Sequence, residues 1–412
     1  MQVYLVGGAV RDALLGLPVK ERDWVVVGGT REALLRLNYR EVGRDFPVFL
    51  HPDTHEEYAL ARLERKVAPG YRGFTVEFGS QVTLEEDLAR RDLTINAIAQ
   101  AADGSLIDPY GGKRDLDSRT LRHVSEAFSE DPVRVLRVAR FAARFAPLGF
   151  RVAPATLELM RDMVQRHEVE ALVAERVWQE SEKALREPAA STFFQVLRDC
   201  GALKSVYPEI DALFGVPQPP QWHPEIDSGV HTLMVLDQAA ALTEDVGTRF
   251  AALVHDLGKG QTPPSEWPSH HGHEERSAAL IEGLAARLRV PSEYRNLALI
   301  VARFHGIVHR AFELKPKTLL DFMERADAFR RADRFARALL ACEADSRGRA
   351  GLETKPYPQR AYILAARDAA AAIRPSAEDV AGQSGLKIAQ ALHARRIHAI
   401  AEVKAAQPPP AH

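Results

Sequence analysis

The chain has only two cysteines among 412 residues, no long apolar run, and almost no excess of charge, with 54 Lys and Arg against 56 Asp and Glu. Two thiols exclude a disulfide framework. Cys200 and Cys342 fit no metal-ligand spacing and are expected as buried free thiols in ordinary helical sequence. No apolar stretch approaches the ~20 residues needed to span a bilayer. The opening Val3-Tyr4-Leu5-Val6 reads as a strand rather than a signal peptide, which points to a cytoplasmic protein without membrane contacts. A net charge of −2 gives no global basic field, so any nucleic-acid surface must be local. The length and the 46% hydrophobic content allow two to four domains with real cores.

What is present divides unevenly along the chain. Strand-like segments fall at residues 2–7, 23–27, 47–51, 57–62 and near 106–108, whereas from about residue 131 the periodicity is helical and the turns are short. This predicts an α+β protein, a mixed α/β head followed by an all-α body. Breaks occur near Pro208, at Pro217-Gln218-Pro219-Pro220, at Thr262-Pro263-Pro264 and at Pro356-Tyr357-Pro358, the second being a plausible domain boundary. The tail Gln407-Pro408-Pro409-Pro410-Ala411-His412 reads as disordered.

The first strand breaks into Gly7-Gly8-Ala9-Val10-Arg11-Asp12 and is followed by Glu21-Arg22-Asp23-Trp24-Val25. Glycines lack a Cβ, so the backbone can turn sharply and bring N–H groups close to a phosphate, with Arg11 offering a planar fork in the next helix. Glu21 and Asp23, at i and i+2, share a strand face, and two carboxylates side by side repel unless a cation lies between them. Mg2+ suits such a pair together with substrate phosphates. Taken singly, the glycines could be an ordinary turn and the acids a solvated strand entrance. Neither a Walker loop nor a dinucleotide fingerprint is present.

Further along, Glu130-Asp131-Pro132-Val133-Arg134 leads into a helix on which Arg137, Arg140 and Arg144 fall within roughly 60° of one another, with Arg134 about 60° further round. No acid occurs among residues 132–151, so the face reads as an anion-binding stripe or a solvated basic surface. Asp131 before Pro132 also reads as a helix N-cap. In the second half, His231, the adjacent His255-Asp256 and the distant Asp345 have the order His…His-Asp…Asp of an HD-type phosphohydrolase, with His273 and His305 as further candidates for ligands or phosphate contacts. Imidazole and carboxylate together suit Ni2+, Co2+ or Mn2+ better than Mg2+. Residues 248–257 read as an apolar helix stopped by Gly258, which puts His255-Asp256 at its C-terminal end, where the dipole favours a cation.

Leu5-Val6-Gly7-Gly8-Ala9-Val10-Arg11-Asp12 with Glu21-x-Asp23 resembles the head of the class II tRNA nucleotidyltransferases, the CCA-adding enzymes. The first carboxylate is Glu21 where that family commonly has Asp. Arg90-Arg91-Asp92-Leu93-Thr94-Ile95-Asn96-Ala97 is similar to the family motif that holds sugar and triphosphate. The resemblance implies that Gly8, Arg11 and Arg91 contact phosphate and that Asp92 accepts from a ribose hydroxyl; the ordinary alternative for Asp92 is a helix N-cap. It further implies that Asp131 and Arg134 read the base edge, accepting cytosine and adenine, with Arg137 and Arg140 also on the nucleotide. Glu57, in the strand Glu57-Tyr58-Ala59-Leu60-Ala61-Arg62, would be a third carboxylate, or simply part of an edge strand.

The motif order resembles the bacterial multifunctional CCA proteins. It implies a nucleotidyltransferase head at residues 1–130, a helical nucleotide-selecting and RNA-binding neck at 131–220, an HD domain at 221–350 and a helical C-terminal segment at 351–412. Implied partners are tRNA, ATP and CTP, in a monomer or homodimer. Implied metals are Mg2+ at Glu21 and Asp23, and a transition metal at His231, His255, Asp256 and Asp345. An HD-domain phosphatase, 2′-nucleotidase and 2′,3′-cyclic phosphodiesterase activity would accompany CCA addition. Two alternatives stay open: a poly(A) polymerase with the same head, and an HD phosphohydrolase whose head only binds nucleotide.

Overall fold

The computed structural model describes residues 1–42, 48–66, 74–78, 80–375 and 384–407, with side chains described outside 64–79. The chain folds as two compact units, one of Met1–Ala184 with Thr192–Val206, the other of Leu185–Ser191 with Tyr207–His412. Residues 408–412, most of the expected disordered tail, lie outside the described residues.

The first unit is built on a seven-stranded mixed sheet of β1 (Gln2–Val6), β2 (Asp23–Val27), β3 (Arg40–Val42), β4 (Val48–Leu50), β5 (Glu57–Leu60), β8 (Ala99–Gln100) and β9 (Leu106–Ile107), in the order β3-β4-β5-β2-β1-β8-β9. A separate hairpin pairs β6 (Arg62–Lys66) with β7 (Phe74–Phe78). The expected strand over 57–62 is thus interrupted at Ala61, whose buried side chain joins the core while the chain leaves the sheet for the hairpin. β2 runs antiparallel to β1 and parallel to β5, in a register that opposes Asp23 to Val6 and to Glu57. Alternation sets the two cores: Val6 and Val25 pack with Leu88 on one face, and Val26, Phe49, Tyr58 and Leu60 pack with Leu34 on the other. Helices α1 (Gly8–Leu14), α2 (Arg31–Arg36), α3 (Leu84–Ala89) and α4 (Gly112–Asp117) connect the strands, followed by α5 (Val133–Phe145), α6 (Pro154–Gln165), α7 (Ala174–Arg186), α8 (Ala190–Asp199) and α9 (Ala202–Val206). The helical half is not purely helical, because Arg151–Val152 makes a two-residue parallel pairing with Thr120–Leu121.

The second unit is helical: α10 (Pro208–Asp211), α11 (Ser228–Leu242), α12 (Val246–Val254), α13 (His273–Leu288), α14 (Ser292–His309), α15 (Pro316–Arg325), α16 (Ala332–Arg347), α17 (Pro358–Ala372) and α18 (Gly385–Ala406). Helices α11, α12, α14 and α16 pack on one another around a common core. The 217–220 break does not separate the compact units; it lies inside the second, where Pro217 bridges to Asp227 and Gln218 is buried. Gly258 does not stop α12 either. That helix ends at Val254, and the chain continues through Gly258 as a 3-10 turn, Leu257–Gln261. The glycine is required by crowding instead, since a Cβ would stand 2.1 Å from the His273 carbonyl oxygen. Both cysteines are free and buried, as expected.

Candidate functional site

The sheet, α1 and α5 enclose a cleft of about 580 Å³ that gathers Gly7, Gly8, Arg11, Glu21, Asp23, Arg91, Asp92, Asp131, Arg134, Arg137 and Arg140 from across the first unit. Gly7 leaves β1 at φ +69°, and a Cβ there would lie 2.9 Å from Arg91 Nη1, so the glycine makes room for that guanidinium. Arg11 is no surface charge. It is buried, donates Nε–H to Asp12 Oδ1 at 2.8 Å and Nη1–H to Asn96 Oδ1 at 2.6 Å, and lies 5.2 Å from the Phe141 ring centroid. Burial lowers its pKa, with Asp12 opposing.

Glu21 precedes β2 and Asp23 begins it, both at the exposed rim of the cleft. Among the described residues neither carboxylate has a hydrogen bond or an ion pair, although nine arginines line the same cleft. The cleft walls desolvate Asp23 and raise its carboxyl above the ordinary value, with Arg91 opposing and Glu21 adding. Two unpaired acids in so basic a cleft fit a divalent cation. Glu57 stands in register with Asp23 on the next strand but is exposed and does not line the cleft.

Asp92 is not an N-cap. The following turn, Thr94–Asn96, is entered through Leu93 without a side-chain cap. Instead Asp92 Oδ1 accepts from Leu93 N and Asn96 Nδ2, and Oδ2 accepts from Arg137 Nε at 2.7 Å. Burial would push this carboxyl up, but Arg137 and Asn96 hold it well below the ordinary carboxylate range. Asp131 is not the N-cap of α5 either, since Pro132 holds that position without a side-chain cap; Asp131 Oδ1 accepts from Val133 N at 3.1 Å, and the carboxylate also receives both forks of Arg176. Arg134 donates to the carbonyls of Ala127 and Arg90, each at 2.6 Å.

The arginine face of α5 is therefore neither bare nor merely solvated. Arg137 meets Asp92, Arg140 meets Glu180 at 2.6 Å, and Arg144 meets Asp12 at 2.9 Å. Fully buried Asp87 holds Arg90 and Arg91 in the same way; burial pushes its carboxyl up, yet the two arginines leave it below the ordinary value. Asp12, Asp87, Arg176 and Glu180 are not apparent from the sequence as parts of the site.

The second unit holds another constellation. His231 on α11, His255 and Asp256 after α12, His273 at the start of α13, His305 on α14 and Asp345 on α16 converge. His231 Nε2 lies 3.1 Å from Asp345 Oδ1, and His255 Nε2 lies 3.1 Å from Asp256 Oδ2 and 3.7 Å from Asp345 Oδ1. His273 and His305 face the other oxygen, Asp256 Oδ1, at 3.2 and 3.5 Å. In every case Nδ1 is directed at a backbone carbonyl: Gly348 for His231, Ala252 for His255, His270 for His273, and Val301 and Ala302 for His305. An Nδ1–H donated there leaves a bare Nε2 aimed at a carboxylate, a contact that only a proton or a metal cation satisfies.

Consistent with that need, His255 Nε2 and Asp256 Oδ1 are buried without a hydrogen bond. Burial alone would lower the His255 imidazole, but Asp256 and Asp345 outweigh it and push it up to about 10; burial pushes His305 down to about 3. The donor set fits a divalent transition metal. The sequence does not reveal His223 and Glu225, where Glu225 Oε1 lies 2.9 Å from His231 Nδ1, nor His309, whose Nε2 lies 2.6 Å from Asp345 Oδ2. A His-x-Glu after the 217–220 prolines is the available signal for the first two.

Three family models match: the poly A polymerase head domain at residues 3–122, a probable RNA and SrmB-binding site of polymerase A at 149–214, and the HD domain at 229–372. The chain thus joins a nucleotidyltransferase head to a mostly helical body with an HD domain. It is 64% identical over 407 residues to the multifunctional CCA protein of Thioalkalivibrio sulfidiphilus, covering 98% of this chain and 99% of that one. Its identity to the namesake of Methylococcus capsulatus is 60% over 412 residues, covering 99% and 96%. The chain belongs to the multifunctional CCA protein family. Solved structures share the fold: a CCA-adding enzyme with ATP at TM-score 0.66 and 22% identity, covering 97% of this chain and 86% of that one, and the Thermotoga maritima CCA-adding enzyme complexed with tRNA at 0.63 and 20%, covering 98% and 91%. No helix among the described residues is long and apolar enough to cross a membrane.

Proposed function

We propose that the chain adds CMP, CMP and AMP to the 3′ end of tRNA from CTP and ATP without a nucleic-acid template, and that its HD centre is a metal-dependent phosphohydrolase. The cleft carries the reading: Glu21 and Asp23, without an ion pair among the described residues, line it together with nine arginines and Asp131.

Glu21 and Asp23 would hold Mg2+, which when bound supplies Lewis-acid stabilisation of the attacking oxygen and the α-phosphate. The terminal ribose hydroxyl of the RNA gives up its proton to solvent and its oxygen attacks the α-phosphorus, the bond to the bridging oxygen breaks, and pyrophosphate leaves. Gly8 offers backbone N–H to the triphosphate, Arg11 and Arg91 neutralise it, and Asp92, held as a carboxylate by Arg137, accepts from a ribose hydroxyl. Asp131 accepts from the exocyclic amine that cytosine and adenine share, while Arg134 donates to ring acceptors. Uracil and guanine present a carbonyl where the amine should be and leave buried polar groups unpaired. Arg137 and Arg140 complete the positive wall. Glu57 stays outside this assignment because it does not line the cleft.

In the second unit His231, His255, Asp256 and Asp345 would hold a Ni2+, Co2+ or Mn2+ ion, with His273 and His305 on the far oxygen of Asp256. Such an ion supplies an activated water for phosphoester hydrolysis. Substrates of the phosphatase, 2′-nucleotidase and 2′,3′-cyclic phosphodiesterase kinds fit this chemistry. We assign residues 1–130 to the head, 131–220 to the neck, 221–350 to the HD domain and 351–412 to the C-terminal segment.

The test offers purified protein a tRNA lacking CCA with CTP and ATP in separate reactions. CMP incorporation is expected. Its failure alongside AMP addition would favour a poly(A) polymerase, and failure of both would leave the HD hydrolase reading.

A further inference from the structure

We infer that Arg176, on α7, determines base selectivity by fixing the carboxylate of Asp131, an inference that rests on Asp131 reading the base. Arg176 donates Nη1–H to Asp131 Oδ1 at 3.2 Å and Nη2–H to Oδ2 at 2.9 Å, a two-pronged pairing at the wall of the cleft. The Val133 amide donates to Oδ1 at 3.1 Å. A carboxylate offers about four acceptor positions, two on each oxygen. Arg176 and Val133 together fill both positions on Oδ1 and one on Oδ2.

Among the described residues, one acceptor position therefore remains, on Oδ2. A single acceptor held in one direction can take one N–H from an exocyclic amine and cannot turn to suit another edge. An Asp131 held only by Val133 would pivot about that bond and present either oxygen, and discrimination against a base with a different edge would weaken. The fork matters because it fixes both oxygens at once; a lysine ammonium, a point charge, holds them less well. Arg176 acts through Asp131 and is a positioning residue.

Arg176→Ala, Arg176→Lys and Asp131→Ala are compared with the parent for single-nucleotide addition to tRNA lacking CCA, reading the ratio of kcat/KM for CTP to that for UTP. Melting temperatures identify variants that have not folded. Arg176→Ala is expected to lower the ratio about tenfold or more, with Arg176→Lys intermediate. A role confined to folding would reduce both nucleotides by one factor and leave the ratio unchanged. If Asp131→Ala loses selectivity while both Arg176 variants keep the parent ratio within about twofold, the inference is overturned and the base-reading assignment stands. If Asp131→Ala itself keeps the parent ratio, the assignment fails and the inference fails with it. Should the alanine variant not fold, Arg176→Lys decides: a ratio equal to the parent's overturns the inference.

Discussion

Arg137 donates its Nε–H to Asp92 Oδ2 at 2.7 Å, tying the arginine helix to the loop after α3, two segments 45 residues apart in the chain. Arg140 likewise donates Nε–H to Glu180 Oε2, and Arg144 donates Nη2–H to Asp12 Oδ2. The cleft is thus positive at its surface but internally paired, so its guanidinium groups are oriented before any anion arrives.

The Asp92 pairing should appear in the acid stability of the first unit. Its folded carboxyl lies below the unfolded value of about 3.9, so its contribution to stability is present above that pH and is lost as pH falls. Asp92→Asn should reduce urea stability at pH 7 by about 1–3 kcal/mol, and the gap from the parent should narrow as pH falls below about 4. A gap that stays constant with pH would contradict the pairing.

Glu21→Ala with Asp23→Ala should abolish nucleotide addition, by about a thousandfold or more, while metal-dependent phosphoester hydrolysis survives. Incorporation at the parent rate would rule out this acid pair as the metal anchor.

His255→Ala should do the reverse, losing hydrolysis and transition-metal binding by calorimetry while keeping CCA addition. Chelation should stop both reactions. Mg2+ alone should then restore addition, and hydrolysis should return with Ni2+, Co2+ or Mn2+. Recovery of both reactions on Mg2+ alone would count against two separate metal requirements.

Glu225 Oε1 lies 2.9 Å from His231 Nδ1 and 3.0 Å from His223 Nδ1, so one carboxylate braces two imidazoles. Glu225→Gln should weaken metal binding at the HD centre by about 10–100-fold, the usual effect of removing an outer carboxylate from a ligating histidine. Unchanged affinity would show that the Gly348 carbonyl alone orients the His231 ring.

Gly258→Ala places a Cβ against the His273 carbonyl oxygen and Ser277 N. The clash is with backbone and should cost about 1–3 kcal/mol, lowering the melting temperature of the second unit. An unchanged melting temperature would mean that α13 can move away.

The parts legible in the sequence are those written locally. The glycine turn, Glu21 and Asp23, the 3.6-residue spacing of the α5 arginines and the His255-Asp256 pair each lie within a few residues and announce themselves by spacing. What balances them does not. Glu180 reaches Arg140 from 40 residues away and Asp12 reaches Arg144 from 132, so the absence of acids in 132–151 suggests a bare stripe that the tertiary structure pairs. Gly258 misleads for a related reason, because a glycine after an apolar helix signals a cap, whereas here it is demanded by α13, which contacts it from elsewhere in the chain. Short pairings such as Arg151–Val152 carry too few residues to show an alternating pattern.

That protein side chains, with no template, dictate the added sequence is tested most directly by sequencing the 3′ ends made when the purified protein extends a tRNA lacking CCA in all four nucleoside triphosphates. Ends terminating in CCA, with Asp131→Ala broadening the bases added, would bear it out. Homopolymeric A tails, or a mixed sequence from the parent protein, would contradict it.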